Sequence, residues 1–150
     1  MKPINEMRIK IESRSVNEAF SRAAVAAVAA FAAQLDPNIE ELSDIRTAVS
    51  EAVTNCIVHA YADTLGPIYI WSGIYENGVI RIKIRDTGCG IENVKQAMEP
   101  LFTTSGGERA GLGFAVMESF CDKIKVRSKV GVGTVVTLEK QIRGREQTDA

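Results

Sequence analysis

Glu51, Asn55 and His59 are spaced four apart in a stretch whose apolar residues recur every three or four positions. Four residues of α-helix advance about 400°, so each step drifts only about 40° around the axis. The three side chains are therefore expected along one edge of one helix. A carboxylate and a carboxamide oxygen in line suit Mg²⁺, which takes hard oxygen ligands and keeps several waters. A carboxylate that the metal leaves free can accept a hydroxyl proton. Taken singly, Glu51 is also compatible with a solvated helix face, and His59 with a packed or capping histidine. Asn55 in mid-helix is less comfortable, because asparagine is a poor helix former.

Two glycine-bearing segments follow. Asp86-Thr87-Gly88-Cys89-Gly90 comes directly after an alternating strand pattern. Gly88 and Gly90 let a backbone turn sharply and approach a ligand. An acid at a strand end can accept a hydrogen bond from an exocyclic amine such as that of adenine. The same residues also make ordinary turns. Further on, Gly106-Gly107-Glu108-Arg109-Ala110-Gly111-Leu112-Gly113-Phe114 leads toward a helix. A helix N-terminus offers free N–H groups and positive partial charge to a phosphate, and Arg109 can add a charged contact. A flexible loop ahead of a helix reads the same way. The Walker A pattern is absent, since Leu112 follows Gly111, and so is the dinucleotide fingerprint, since Val116 stands where its third glycine belongs. The catalytic-loop and magnesium-binding set of the ordinary protein kinases is also missing.

These segments need elements to hold them. Met7 to Ser13 alternates with period two and predicts a strand. Ser15 with Glu18 forms a capping-box pattern ahead of an alanine-rich helix over Val16 to Leu35, ended by Asp36-Pro37. A second helix, carrying Glu51 and Asn55, is expected from Ser43 to about Ala62. Ile68–Tyr75 and Val79–Asp86 read as a hairpin across Glu76-Asn77-Gly78. A short helix over Glu92 to Met98, a loop from Leu101 to Ala110 and a helix from Leu112 to Cys121 come next. Strands Lys123–Lys129 and Thr134–Gln141 close the chain. The order β-α-α-β-β-α-α-β-β predicts an α/β (α+β) two-layer sandwich, with helices on one face of a mixed, mostly antiparallel sheet. One domain over residues 1–142 is expected, with a polar, frayed tail over 143–150.

Composition bounds the rest. The chain has 150 residues, 45% of them hydrophobic, and a formal net charge of -1. That suffices for one core and gives no support for general nucleic-acid binding. Cys56, Cys89 and Cys121 have no paired spacing, so a reducing compartment fits. The longest apolar run, Ala23 to Ala33, is shorter than the roughly 20 residues a bilayer requires. MKPINEMRIK has no signal-peptide pattern. A cytoplasmic protein without membrane or direct nucleic-acid partners is expected.

The three segments, in this order, resemble the ATP-binding fold shared by gyrase, histidine kinases and MutL (the GHKL or Bergerat fold). Glu51 to Tyr61 is similar to its N box, Asp86 to Ile91 to the box that reads adenine, and Gly111 to Ala115 to its glycine box. Ser50 to Asn55, Pro100-Leu101-Phe102-Thr103-Thr104 and Met117 to Phe120 resemble, more narrowly, the anti-sigma-factor serine kinases, in particular those of sporulating bacteria that act on sigma-F. The resemblance covers roughly Met7 to Ile142. It implies ATP/ADP and Mg²⁺ as ligands, with Asn55 on the metal and Glu51 as base toward a serine hydroxyl. Asp86, Gly88 and Gly90 would hold adenine, with Gly133 and Thr134 closing that pocket. Thr103, Thr104, Arg109, Gly111, Leu112 and Gly113 would form the lid over the phosphates. It further implies a homodimer that holds a sigma factor of the sigma-F kind and phosphorylates an anti-anti-sigma protein. Arg22 matches a partner-contacting arginine, though an exposed helix charge reads the same. A non-catalytic nucleotide-dependent sigma-binding module and a detached histidine-kinase catalytic domain are the alternatives.

Overall fold

The computed structural model describes residues 1–12, 21–61, 66–98 and 108–144, with backbone alone at 59–60 and 108–112. Five strands build one sheet: β1 (Asn5–Glu12), β2 (Pro67–Ile74), β3 (Val79–Asp86), β4 (Lys123–Lys129) and β5 (Gly133–Gln141). Four α-helices accompany them: α1 (Ser21–Ala32), α2 (Ile39–Asn55), α3 (Val94–Ala97) and α4 (Glu108–Phe120). The expected Ser15–Glu18 cap and the segment from Pro100 to Gly107, which holds Thr103 and Thr104, lie outside the described residues.

The sheet order is β1-β2-β3-β5-β4, and all four neighbouring pairs are antiparallel. This corrects the mixed sheet expected from the sequence. β4 runs in the same direction as β3 after the crossover through α3 and α4, but β5 inserts between them and removes the parallel pair. The hairpin of β2 and β3 is as its Asn-Gly pair predicts: Tyr75 N donates to Val79 O at 3.0 Å, and Gly78 sits at φ 81°.

Alternation gives the sheet two unlike faces. Ile68, Ile70, Ile74, Ile80, Ile82, Ile84, Val136 and Leu138 are buried on the helix-covered side. Against them pack Val28 and Ala32 of α1, Ile45, Val49 and Val53 of α2, and Phe114 and Met117 of α4. The small side chains of α1 let it lie against α2 and reach β1 and β2, the ordinary packing role expected of it. Removing one such isoleucine side chain to alanine costs about 2–5 kcal/mol.

α2 begins at Ile39, four residues earlier than the apolar stripe indicated. Asn38 is the reason. Its side chain accepts from Glu41 N at 2.7 Å while Glu41 Oε1 accepts from Asn38 N at 3.0 Å. This reciprocal box satisfies two donors that a helix start leaves unpaired. Arg143 N and Gly144 N donate to the buried Glu41 carboxylate at 2.7 and 3.1 Å. Residues 145–150 lie outside the described residues. Among the described residues no helix is long and apolar enough to cross a membrane.

Candidate functional site

Asp86 ends β3 at the rim of the core, buried to 6% exposure. Its Oδ1 accepts from Gly88 N at 2.9 Å and from Thr134 N at 3.2 Å. Its Oδ2 receives the Cys56 thiol at an Sγ–Oδ2 distance of 3.6 Å. Burial pushes the Asp86 carboxyl above its ordinary value, while bonds from Gly88, Cys56 and Thr134 pull it back. Burial likewise pushes the Cys56 thiol well up, with the Asp86 charge adding to it, so this sulfur stays protonated and donates.

The turn after Asp86 is fastened from two sides. Ile91 N donates to Ser128 Oγ at 2.7 Å, and Ser128 Oγ lies 2.7 Å from Thr134 Oγ1. Gly131 N donates to Cys89 O at 2.8 Å. Gly90 and Gly133 both have positive φ, at 79° and 141°. A side chain at Gly133 would collide with the Asp86 backbone, and one at Gly90 with the Lys129 backbone. Glycine is required at both places by conformation and by contact. From the other side, Tyr61 Oη accepts from Thr87 N at 2.6 Å and donates to Pro67 O at 2.7 Å. Tyr61 thus ties the end of the α2 segment to the Asp86 turn.

Asn55 is the last residue of α2. Both Oδ1 and Nδ2 of its amide are buried without a hydrogen-bond partner among the described residues. Leaving such groups unpaired costs about 1–3 kcal/mol, and orphans of this kind point to a missing ligand, ion or water. A Cβ built on Gly113 would stand 3.1 Å from both amide atoms, so the glycine admits the amide beside α4. One turn earlier Glu51 is half-buried, with no hydrogen bond or ion pair among the described residues. An unpaired amide oxygen near a free carboxylate suits a hydrated Mg²⁺, which needs few protein ligands. Among the described residues no group of three or more His, Cys, Asp or Glu side chains could hold a metal on its own.

Two expectations change. The helix expected to run to about Ala62 gives way after Asn55 to a π-helical turn over Cys56–Ala60, closed by Tyr61 N to Cys56 O at 3.1 Å. π-turns concentrate at functional sites. The His59 side chain lies outside what the structure describes. α4 starts at Glu108, before Leu112, so Arg109, Gly111, Leu112 and Gly113 lie inside its first turns. Arg22 is exposed on α1. The structure brings Asn55 to Gly113, and Asp86 to Gly88, Gly133 and Thr134. Cys56, Tyr61 and Ser128 were not singled out from the sequence. Their types are those of ordinary core, aromatic and turn residues; Cys56 and Tyr61 lay inside the quoted Glu51 to Tyr61 segment and Ser128 in none.

The model of the histidine kinase-like ATPase domain matches residues 15–140. The anti-sigma F factor of Caldanaerobacter subterraneus subsp. tengcongensis is 55% identical, over 92% of this chain and 94% of that protein. That of Geobacillus thermodenitrificans is 48% identical, over 92% and 93%. Among solved structures, a Mycobacterium tuberculosis chain with RsbU and RsbW domains has a TM-score of 0.66 at 20% identity, covering 93% of this chain and 32% of that one. The histidine kinase domain of an Erythrobacter litoralis blue-light-activated kinase has a TM-score of 0.57 at 20% identity, covering 81% and 61%. At such identities the structures speak for the fold alone.

Proposed function

We propose, from the premise that this chain belongs to the histidine kinase-like ATPase domain family and within it to the anti-sigma F factors, that it is an ATP-dependent serine protein kinase. It holds a sporulation sigma factor of the sigma-F kind inactive, and it phosphorylates a serine of an anti-anti-sigma protein. It acts as a homodimer in the cytoplasm. The observation that carries the reading is the buried Asn55 amide, which has no partner among the described residues, one turn from Glu51 and against Gly113.

Bound Mg-ATP supplies the transferable phosphoryl group and the positive charge that neutralises it. Asp86, aligned by Gly88 and Thr134, presents Oδ2 as acceptor for the adenine amine. Gly88, Gly90, Gly133 and Thr134 shape that pocket. Asn55 Oδ1 gives Mg²⁺ one hard ligand. Glu51 takes the proton of the attacking serine hydroxyl. Thr103, Thr104, Arg109, Gly111, Leu112 and Gly113 serve the phosphates, where the amides of the α4 N-terminus favour negative charge. Arg22 meets the protein partner.

Transfer of γ-³²P from ATP to a candidate anti-anti-sigma protein tests this. Acid-stable label on serine is expected. Nucleotide-dependent sigma binding with no transfer would leave a binding module, and acid-labile label would indicate a histidine target.

A further inference from the structure

The face of the sheet opposite the helices carries a charge pattern that the near-neutral sequence conceals. The register sets its side chains in rows across the strands. One row runs Lys10, Tyr69, Arg85, Val135, Arg127, and the next runs Arg8, Trp71, Lys83, Thr137, Lys125. Arg8, Lys10 and Arg81 have acidic partners on this face in Glu6, Glu12 and Glu139. Lys83, Arg85, Lys125 and Arg127 are exposed and have no acidic partner among the described residues. They stand on both sides of β5, whose Val135 and Thr137 make a half-buried floor between them. Toward Lys123 the trough ends at an open hollow of about 670 Å³ whose lining carries both signs, Lys123 and Lys125 beside Glu118, Asp122 and Glu139.

We propose that this trough is a docking surface for an acidic helix of a protein partner, laid along β5. β3 and β4 are two strand spacings apart, about 9.5 Å. A helix with its side chains is about 10–12 Å across. Its apolar residues meet Val135, and carboxylates on its two flanks meet Lys83 and Arg85 on one side and Lys125 and Arg127 on the other. Complementary charge of this kind steers encounter and fixes orientation.

Two other occupants fit less well. Single-stranded nucleic acid binds sheets by stacking bases on aromatic rings. Here Tyr69 already has Arg85 at 4.0 Å and Lys10 at 5.7 Å from its ring centre, and Trp71 has Lys83 at 5.4 Å. A stacking base would have to displace these cations. A second copy of the chain packed with its two-fold axis through this trough would set its four cations against their own counterparts.

The test uses the full chain and a fluorescein-labelled helical peptide of about 20 residues, with glutamates on both flanks of a leucine stripe. Anisotropy is expected to show binding that weakens with salt. Lys83→Glu with Lys125→Glu, and separately Arg85→Gln with Arg127→Gln, should each weaken it about tenfold or more, a loss of about 1.4 kcal/mol. Arg46→Glu, which changes the charge by as much as the glutamine pair and lies on the exposed side of α2, should not. Circular dichroism checks the folding of each variant, and the glutamine pair reads the face if the glutamate pair does not fold. The proposal is overturned if the peptide does not bind, or if both folded double variants bind it as the unmodified chain does. It is equally overturned if a single-stranded oligonucleotide binds these residues more tightly than the peptide, or if the double variants change the sedimentation of the chain alone, which would give the face to a second copy.

Discussion

The Cys56 thiol donates to Asp86 Oδ2, the one carboxylate oxygen that the backbone amides of Gly88 and Thr134 leave open. A residue on the π-turn of one helix segment therefore addresses the atom assigned to the adenine amine. Cys56→Ala removes a donor that favours the charged carboxylate, so the Asp86 carboxyl should titrate higher. Loss of ATP binding on acidification should then begin at a higher pH in Cys56→Ala than in the unmodified chain. Calorimetric titrations across a pH series measure this, and superimposed profiles would contradict it.

Asp86 itself has an opposite effect on stability and on binding. Burial holds its folded-state carboxyl above the ordinary value of 3.8. The folded chain then binds more protons than the unfolded one between those two values, so this residue makes stability fall as pH rises through that window. Asp86→Asn should flatten that slope in urea denaturation. Asp86→Ala should weaken ATP about 10- to 100-fold, the worth of a hydrogen bond to a charged group. Unchanged ATP affinity would remove Asp86 from the adenine pocket.

Glu51→Gln should bind ATP normally and lose about 10²–10⁴-fold in phosphoryl transfer, the usual worth of a general base. Single-turnover transfer beside equilibrium ATP binding separates the two effects. Transfer at the unmodified rate would end the base assignment.

Gly113→Ala places a methyl 3.1 Å from the Asn55 amide. Alanine favours helix over glycine by about 1 kcal/mol, so stability should hold while the amide is displaced. ATP affinity should fall several-fold with Mg²⁺ present and change little with EDTA. Equal losses under both conditions would point to the fold and away from the metal.

Glu41→Ala leaves the amides of Asn38, Arg143 and Gly144 without their acceptor and should cost about 1–3 kcal/mol in urea denaturation. Burial pushes the Glu41 carboxyl up, but the bonds from Arg143, Asn38 and Gly144, with the Lys140 charge, outweigh it and hold the group below its ordinary 4.5. Its contribution is therefore present above that value and is lost as pH falls through the folded-state value. The acid-side loss of stability should be shallower in Glu41→Ala.

Much of the fold was legible because its signals are local. The Asn77-Gly78 turn, the isoleucines alternating along β3 and the apolar stripe of α2 follow from fixed local geometry. The start of α2 was misjudged because Asn38 and Glu41 cap it through polar contacts that a search for apolar periodicity passes over. The start of α4 was misjudged because the loop led by Gly106 and Gly107 was carried through to Ala110, whereas in the fold the helix already starts at Glu108 and its Gly113 makes room for the Asn55 amide.

The sequence by itself determined which residues share a helix edge or a strand face, since neighbours along the chain are bound to repeat at 3.6 or 2. Only the tertiary structure decided that β5 lies between β3 and β4, that Cys56 meets Asp86, and that scattered lysines and arginines line one trough. Those are contacts between residues far apart in the chain, chosen by which faces can be buried together, and no local period encodes them.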